Sequence, residues 1–480
     1  MSESAAASGS TSGTAAGTSA RTGDATTART RDATTARTDA ATAAGTSGAG
    51  PLAGVRVLEI AGLGPGPFAA MLLADLGADV VRVDRPGGSV LSGDPALDVT
   101  NRGKRSVVLD LKTPEGVARA LDLAARADLL IEGFRPGVAE RLGVGPDACL
   151  ARNPTLVYGR MTGWGQEGPL AQAAGHDIAY IATAGVLGLV GAADGPPAIP
   201  VNLLGDYAGG SLYLVVGLLA ALHHARATGA GQVVDAAIVD GAAHLTSVLW
   251  GFMAGGRWHD RRGVNIIDGG APFYAVYETA DRRHMAVGAL EPQFFAEFVK
   301  LLDLPPDAPG QRNLARWGEL RELIAARFAS RTQAEWTGVF EGTDACVSPV
   351  LTLHEAADHP HLRARASYAE HHGLLQPSPA PRFSATPNPA PRPPALPDTD
   401  RAAVAADWDV PSLAASTPGN LGAPGEPGAP SSPNNAGTPN NSNIENSANT
   451  PISANNANTL INAENAGTPK SARTAHTTDS

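Results

Sequence analysis

Cysteine is scarce in this chain of 480 residues: Cys149 and Cys346 are the only two. Two thiols supply neither a disulfide framework nor a zinc-ligand set, so a reducing compartment is expected and the cytoplasm is the favoured location. Positive charge is outweighed, with 36 Lys and Arg against 47 Asp and Glu, a formal net charge of −11. A surface of that sign repels phosphate backbones, which excludes a nucleic-acid partner except at a local basic patch. Long apolar runs are missing as well. The longest, Leu212 to Leu222, falls well short of the ~20 residues that a membrane span requires, so no span is expected. The N-terminus lacks the apolar core of a signal peptide, and no Gly-x-Ser-x-Gly turn is present to carry a nucleophilic serine.

The two ends lack almost everything that builds a core. Residues 1–50 consist mainly of Ala, Thr, Ser, Gly, Arg and Asp, with "DATTART" at 24–30 repeated at 32–38. Residues 411–480 are rich in Asn, Pro, Gly, Ser and Ala. Neither composition offers enough apolar surface to offset the entropy lost on ordering, so both ends are expected to be disordered tails. What remains is a folded middle that carries most of the negative charge.

From Pro51 to about Gly165 the sequence alternates strand and helix. Val55–Ile60, Val80–Val83, Ser106–Leu111, Leu129–Phe134 and Leu156–Met161 are short runs rich in Val, Ile and Leu, as in strands covered on both faces. Between them Phe68–Gly77 and Pro114–Ala127 read as helices, the second with Thr113 as N-cap and Pro114 in its first turn. This alternation predicts a parallel sheet with helices on its faces. A long helix follows over Tyr207–Ala227, with Asp206 as its N-cap and Gly229 or Gly231 at its end. The segment "VVDAAIVDGAAHLTSVLW" reads as another buried helix. Further on, Phe273–Glu278 and His284–Gly288 read as strands joined by a turn at Ala280–Arg282, Glu319–Phe328 as a helix, and Pro377–Pro397 as a return strand or strap. The domain plan is a large domain over 51–236 completed by about 365–410, a helical linker over 237–270, and a small domain over 271–350.

The turn after the first strand, "IAGLGPGPF" at 60–68, resembles the phosphate cradle of a dinucleotide-binding fold. Gly62 and Gly64 fill the first two places of Gly-x-Gly-x-x-Gly, and Asp84 ends the second strand. Pro67 occupies the third glycine's place, and Pro65 and Pro67 remove N–H donors where a pyrophosphate would need them. A nicotinamide site is therefore disfavoured against a stiff turn that launches a helix.

Six blocks carry a wider resemblance: "PLAGVRVLEIAGLGPGPFAAMLLADLGADVVRVDRP", "LIEGFRPGVAERLGVGP", "GRMTGWGQEGPLAQAAGHDIAY", "NLLGDYAGGSLYLVVGLLAAL", "GQVVDAAIVDGAA" and "VGALEPQFF". In order and spacing, from about Pro51 to Val410, they resemble the alpha-methylacyl-CoA racemases of the class III CoA-transferase superfamily. The resemblance implies an α/β protein with a Rossmann-like large domain that binds coenzyme A, a smaller α+β domain, and an interlocked homodimer. In it, the active site lies where one subunit's large domain meets the other's small domain. It implies a 2-methyl-branched acyl-CoA substrate, with coenzyme A part of the thioester and no further cofactor or metal.

Taken alone, His176 in "GHD" reads as structural or solvated, and Asp206 and Glu291 as acids at helix starts. The resemblance assigns them the acid/base set: His176 and Asp206 on opposite sides of the reacting carbon, and Glu291 partnering the histidine. Epimerising a carbon next to a thioester requires one empty and one loaded proton carrier. Glu291 would favour the charged imidazole, and the helix after Asp206 would favour its ionised form. The N–H of Asp177 is the candidate donor to the enolate oxygen, with Gly175 and Tyr180 alongside. Arg85, Lys112, Arg135 and Arg141 fall near strand C-termini, where open α/β sheets bind ligands, and Leu109, Leu111, Gly133 and Phe134 are expected to line the nucleotide. The alternative is a CoA-transferase of the same superfamily, with Asp206 as the nucleophile that accepts the acyl group.

Overall fold

The computed structural model describes residues 48–88 and 94–414. The tails expected at 1–50 and 411–480 lie outside the described residues, apart from 48–50 and 411–414. The latter form a last helical turn, Pro411–Ala414, whose Leu413 is buried in the core.

Six strands form one sheet: β1 Arg56–Ile60, β2 Asp79–Asp84, β3 Arg105–Val108, β4 Leu129–Glu132, β5 Val157–Thr162 and β6 Gln232–Ala237. Their order is β3-β2-β1-β4-β5-β6, and every neighbouring pair is parallel. Side chains alternate between the two faces. Leu58, Val81, Val107, Leu130 and Tyr158 pack on one face with Leu123 and Trp408. Val57, Val80, Leu129 and Val157 pack on the other with Leu73, Leu214 and Leu218. Both faces are dry, which is why the strands read as continuous apolar runs. The chain order reverses between β1 and β4, and a crevice opens at that switch point.

Local chemistry explains the helix starts. The Thr113 hydroxyl accepts from the Gly116 N–H and Pro114 opens the helix Pro114–Ala124. The preceding helix begins at Pro65 rather than Phe68. Pro65 and Pro67 both fit its first turn, where no intrahelical N–H bond is lost.

Three expectations are corrected. Gln232–Ala237 is not helical but the edge strand β6, and the helices after it are two short ones, Ile238–Leu245 and Ser247–Ala254. The second of these buries no residue in the described chain, and Trp250 is 67% exposed. Asp206 is not an N-cap: a π-helical stretch, Leu203–Ser211, runs straight into the α-helix Leu212–Thr228, so Asp206 lies inside the first turns. Glycine makes this possible, because a Cβ on Gly241 would stand 1.8 Å from the Gly209 carbonyl oxygen where the neighbouring helix crosses. The same extension makes Leu203–Thr228 a 26-residue helix with an 18-residue stretch of mean hydropathy 1.5, long and apolar enough by length and composition to cross a membrane. Counting only the uninterrupted apolar run underestimated it. Here its Leu214, Leu218 and Leu222 pack against the sheet.

A separate antiparallel sheet is formed by β7 Tyr274–Glu278, β8 His284–Gly288 and β9 Val347–Pro349. Helices Pro292–Leu302, Trp317–Phe328 and Gln333–Phe340 cover it around Phe298, Phe328, Trp336 and Phe340. Beyond a short hairpin, Tyr368–His371 with Leu374–Pro377, the proline-rich segment forms no strand. It is a strap, tied by the Gly103 N–H to the Arg392 carbonyl. Asp400 and Asp398 then accept the N–H groups of Ser106 and Val108, covering the free edge of β3.

Candidate active site

The crevice holds two adjoining cavities. One, of about 520 Å³, lies beyond the ends of β1, β4 and β5 and is lined by Ile60, Ile131, Met161, His176, Tyr180 and Asp206 among others. The second, of about 330 Å³, lies beyond β1, β2 and β3. Ile60, Gly62, Leu63 and Phe134 belong to both. The glycine turn is therefore the partition between the cavities. Its Gly64 has φ 73°, a conformation that favours glycine, and a Cβ there would stand 3.4 Å from Asp206 Oδ2. From beneath, the buried Lys104 ammonium donates to the Pro67 carbonyl at 3.0 Å and pairs with Glu59 at 2.7 Å.

His176 precedes the helix Asp177–Thr183, and its carbonyl accepts from the Ala179 and Tyr180 N–H groups. Its exposed side chain makes no capping bond and borders the larger cavity. The loop that presents it is braced by Tyr180. That hydroxyl donates to the Gly175 carbonyl at 2.5 Å, and the ring meets Trp164 edge-on at 4.8 Å. A Cβ on Gly175 or Gly163 would collide with the same ring, so Gly175 is needed for the close approach. Burial, and then the Asp206 carboxylate, push the Tyr180 phenol above its ordinary pKa.

Asp206 borders the same cavity as His176, brought there from 30 positions along the chain by the helix that starts at Leu203. Its N–H donates to Asp177 Oδ2 at 2.7 Å. Partial burial raises the Asp206 pKa above the usual carboxylate range, and the neighbouring charge of Asp177 raises it further. A hydrogen bond from Asn202 and the nearby His176 oppose the shift. The expected depression by a following helix does not operate, because Asp206 is inside the helix and not ahead of it.

Glu291 is placed elsewhere. It is the N-cap residue of Pro292–Leu302, is exposed, and lies beside Cys346 rather than on the cavity that holds His176. Of the residues expected at coenzyme A, Arg85, Leu109, Leu111, Lys112 and Phe134 line the smaller cavity, while Gly133, Phe134 and Arg135 line the larger. Arg141 borders neither and ends the short helix Val138–Arg141, with Nη1 3.2 Å from where a Cβ on Gly137 would sit. Sequence reasoning missed Asn202 and Trp164. Asn202 stands four residues before Asp206, a spacing that puts neighbours on one helical face. Among the described residues, no group of three or more His, Cys, Asp or Glu is placed to hold a metal ion.

Comparison with known proteins places the chain in a family. Residues 52–401 match the model of CoA-transferase family III. The chain is 49% identical over 338 residues to the alpha-methylacyl-CoA racemase of Mus musculus, covering 70% of this chain and 87% of that protein. It is 47% identical over 340 residues to the Homo sapiens alpha-methylacyl-CoA racemase, with the same coverage. Among solved structures, a CAIB/BAIF family protein from Brucella suis superposes with a TM-score of 0.65 at 26% identity, covering 75% of this chain and all of that one. The match over residues 52–401, with the two relatives at 47–49% identity, shows that the chain belongs to CoA-transferase family III.

Proposed function

We propose that the protein interconverts the (2R) and (2S) epimers of 2-methyl-branched acyl-CoA thioesters, with His176 and Asp206 as the two proton carriers. The observation that carries this reading is that an exposed imidazole and a partly buried carboxyl border one cavity, next to a second cavity rimmed by Arg85 and Lys112. In one direction the neutral imidazole takes the α-proton and the carboxylic acid protonates the enolate from the other face. In the reverse direction the carboxylate takes the proton and the imidazolium returns one. Burial suits Asp206 to this task, since a carboxyl held above its ordinary pKa donates and accepts near neutrality more evenly.

General acid–base catalysis contributes roughly 10²–10⁴-fold, so the enolate oxygen needs a partner too. The N–H of Asp177 takes that role in this reading, which its position as first residue of the helix after His176 supports. The nucleotide lies along Arg85, Leu109, Leu111 and Lys112, and the pantetheine arm passes the glycine turn at Phe134 toward His176. No cofactor beyond the thioester's own coenzyme A takes part. Glu291 reaches His176 from the small domain of a second copy, in a homodimer supported by the exposed apolar side chains of Val216, Val248 and Trp250. The transferase reading, in which Asp206 attacks the thioester carbonyl and expels the coenzyme A thiolate, asks for a well-ionised carboxylate. Burial and Asp177 act against that.

A single epimer of a 2-methylacyl-CoA incubated in deuterated water tests the proposal. The expected result is loss of chirality with deuterium entering at the α-carbon. Retained chirality without deuteration, or transfer of coenzyme A to an added carboxylic acid in its place, would overturn it.

A further inference from the structure

We propose that Ser211 is a positioning residue for Asp206: its buried hydroxyl ties the π-helical turn that carries the acid to the first turn of the helix Pro65–Asp75, beside the glycine turn. This rests on the two-carrier reading above and adds a residue that acts through the backbone of Asp206 alone.

Ser211 closes the stretch Leu203–Ser211, and the Leu212 N–H donates to the Tyr207 carbonyl, five positions back, where the α-helix takes over. Its side chain is fully buried and does not border the cavity that Asp206 lines. The hydroxyl has one proton and lies between two carbonyl oxygens, that of Pro65 at 2.8 Å and that of Asp206 at 3.0 Å. A serine inside an α-helix bonds back to the carbonyl three or four positions earlier. Here the oxygen reached is five positions earlier, so this bond belongs to the wider π register. Such turns are rare in helices and frequent at functional sites. Relaxing this one to α geometry would rotate Asp206 about the helix axis, off its present bearing on the cavity.

The surrounding contacts hold the same stretch from two sides. Phe68, in the first turn of Pro65–Asp75, stacks on Tyr207 with ring centroids 4.4 Å apart. On the other side the Gly209 backbone lies against the helix Ile238–Leu245, where a Cβ on Gly209 would stand 2.8 Å from the Ala242 nitrogen. Ser211 supplies the polar tie to the first of these helices. A hydroxyl in so dry a place is costly unless it is bonded, and each carbonyl it serves would lose a donor that water cannot replace there. Pro65 and Asp206 both border the larger cavity, so the tie fixes two parts of one wall against each other.

The test uses full-length Ser211→Ala, a substitution that favours the helix, and follows α-deuteration of the two epimers separately in deuterated water. The epimer served by Asp206 is identified as the one whose exchange Asp206→Ala abolishes. In Ser211→Ala, exchange of that epimer is expected to fall about ten-fold, and inversion with it, while exchange of the epimer served by His176 and the KM of both change by less than about two-fold. Hydrogen–deuterium exchange of the backbone amides at 206–212, read by mass spectrometry without substrate, is expected to quicken about five-fold, as for the loss of one hydrogen bond. Should the Ala variant not fold, Ser211→Gly removes the same hydroxyl and carries the same expectation. Equal slowing of both epimers, undiminished exchange of the one served by Asp206, or unchanged protection at 206–212 would overturn the role of Ser211. Failure of the racemase reading shows separately, as an unmodified protein that neither inverts nor exchanges either epimer, and the amide comparison still decides whether Ser211 holds the turn.

Discussion

Glu59, Asp75 and Glu132, in and beside the six-stranded sheet, are nearly inaccessible, and each lies against a cation: Lys104 at 2.7 Å, Arg102 at 2.6 Å and Arg160 at 3.1 Å. Asp206, in the crevice above the same sheet, has another carboxylate, Asp177, as its near neighbour. Each framework acid is compensated by its cation, because an unpaired buried charge is costly, although burial still pushes the Asp75 and Glu132 carboxyls above the usual carboxylate range. The acid in the crevice is held away from a cation, which leaves its proton free to come and go. Pairing with a cation thus separates the fully buried framework acids from the half-buried acid of the crevice.

Breaking a framework pair should have the larger effect. Lys104→Ala leaves Glu59 charged and dry beneath the glycine turn and removes the donor to Pro67. It is expected to destabilise the fold by roughly 3–5 kcal/mol in denaturant titration. A loss below about 1 kcal/mol would show that the pair is not the support described.

The crevice acid should behave in the opposite sense, and more weakly. The folded Asp206 has a pKa raised above the ordinary 3.8. Its stabilising contribution is therefore complete below the unfolded value and is lost as pH rises through the folded one. Asp206→Asn removes that loss, so at neutral pH the variant should melt a few degrees higher than the unmodified protein, with the gap closing in acid. A lower melting temperature at pH 7 would place Asp206 with the framework acids. Such stability gained at the expense of activity is common at working sites.

Much of this comparison was legible before the structure. The alternation of dry strands, the Thr113–Pro114 helix start and the failure of the nicotinamide motif at Pro67 all follow from local chemistry. β6 was missed because "VVDAAIV" carries an apolar run that a strand and a buried helix share, and only its pairing with β5 decides between them. Asp206 read as an N-cap because an acid before an apolar run usually is one. The glycines at 205, 209 and 210 permit a helix to begin earlier by close packing with distant segments, which spacing alone does not reveal. The meeting of His176 and Asp206 came from the family resemblance and the tertiary fold together. Within the chain Glu291 lies beside Cys346 and apart from His176, a placement that its motif did not reveal.

The most direct test of the two-carrier account is stereochemical. His176→Ala and Asp206→Ala are each incubated in deuterated water with the separate epimers, and α-deuteration is followed apart from inversion. The account predicts that both variants lose inversion and that each retains slow exchange of one epimer only, the two variants exchanging opposite ones. Exchange of the same epimer by both variants, or inversion at the unmodified rate in either, would contradict it.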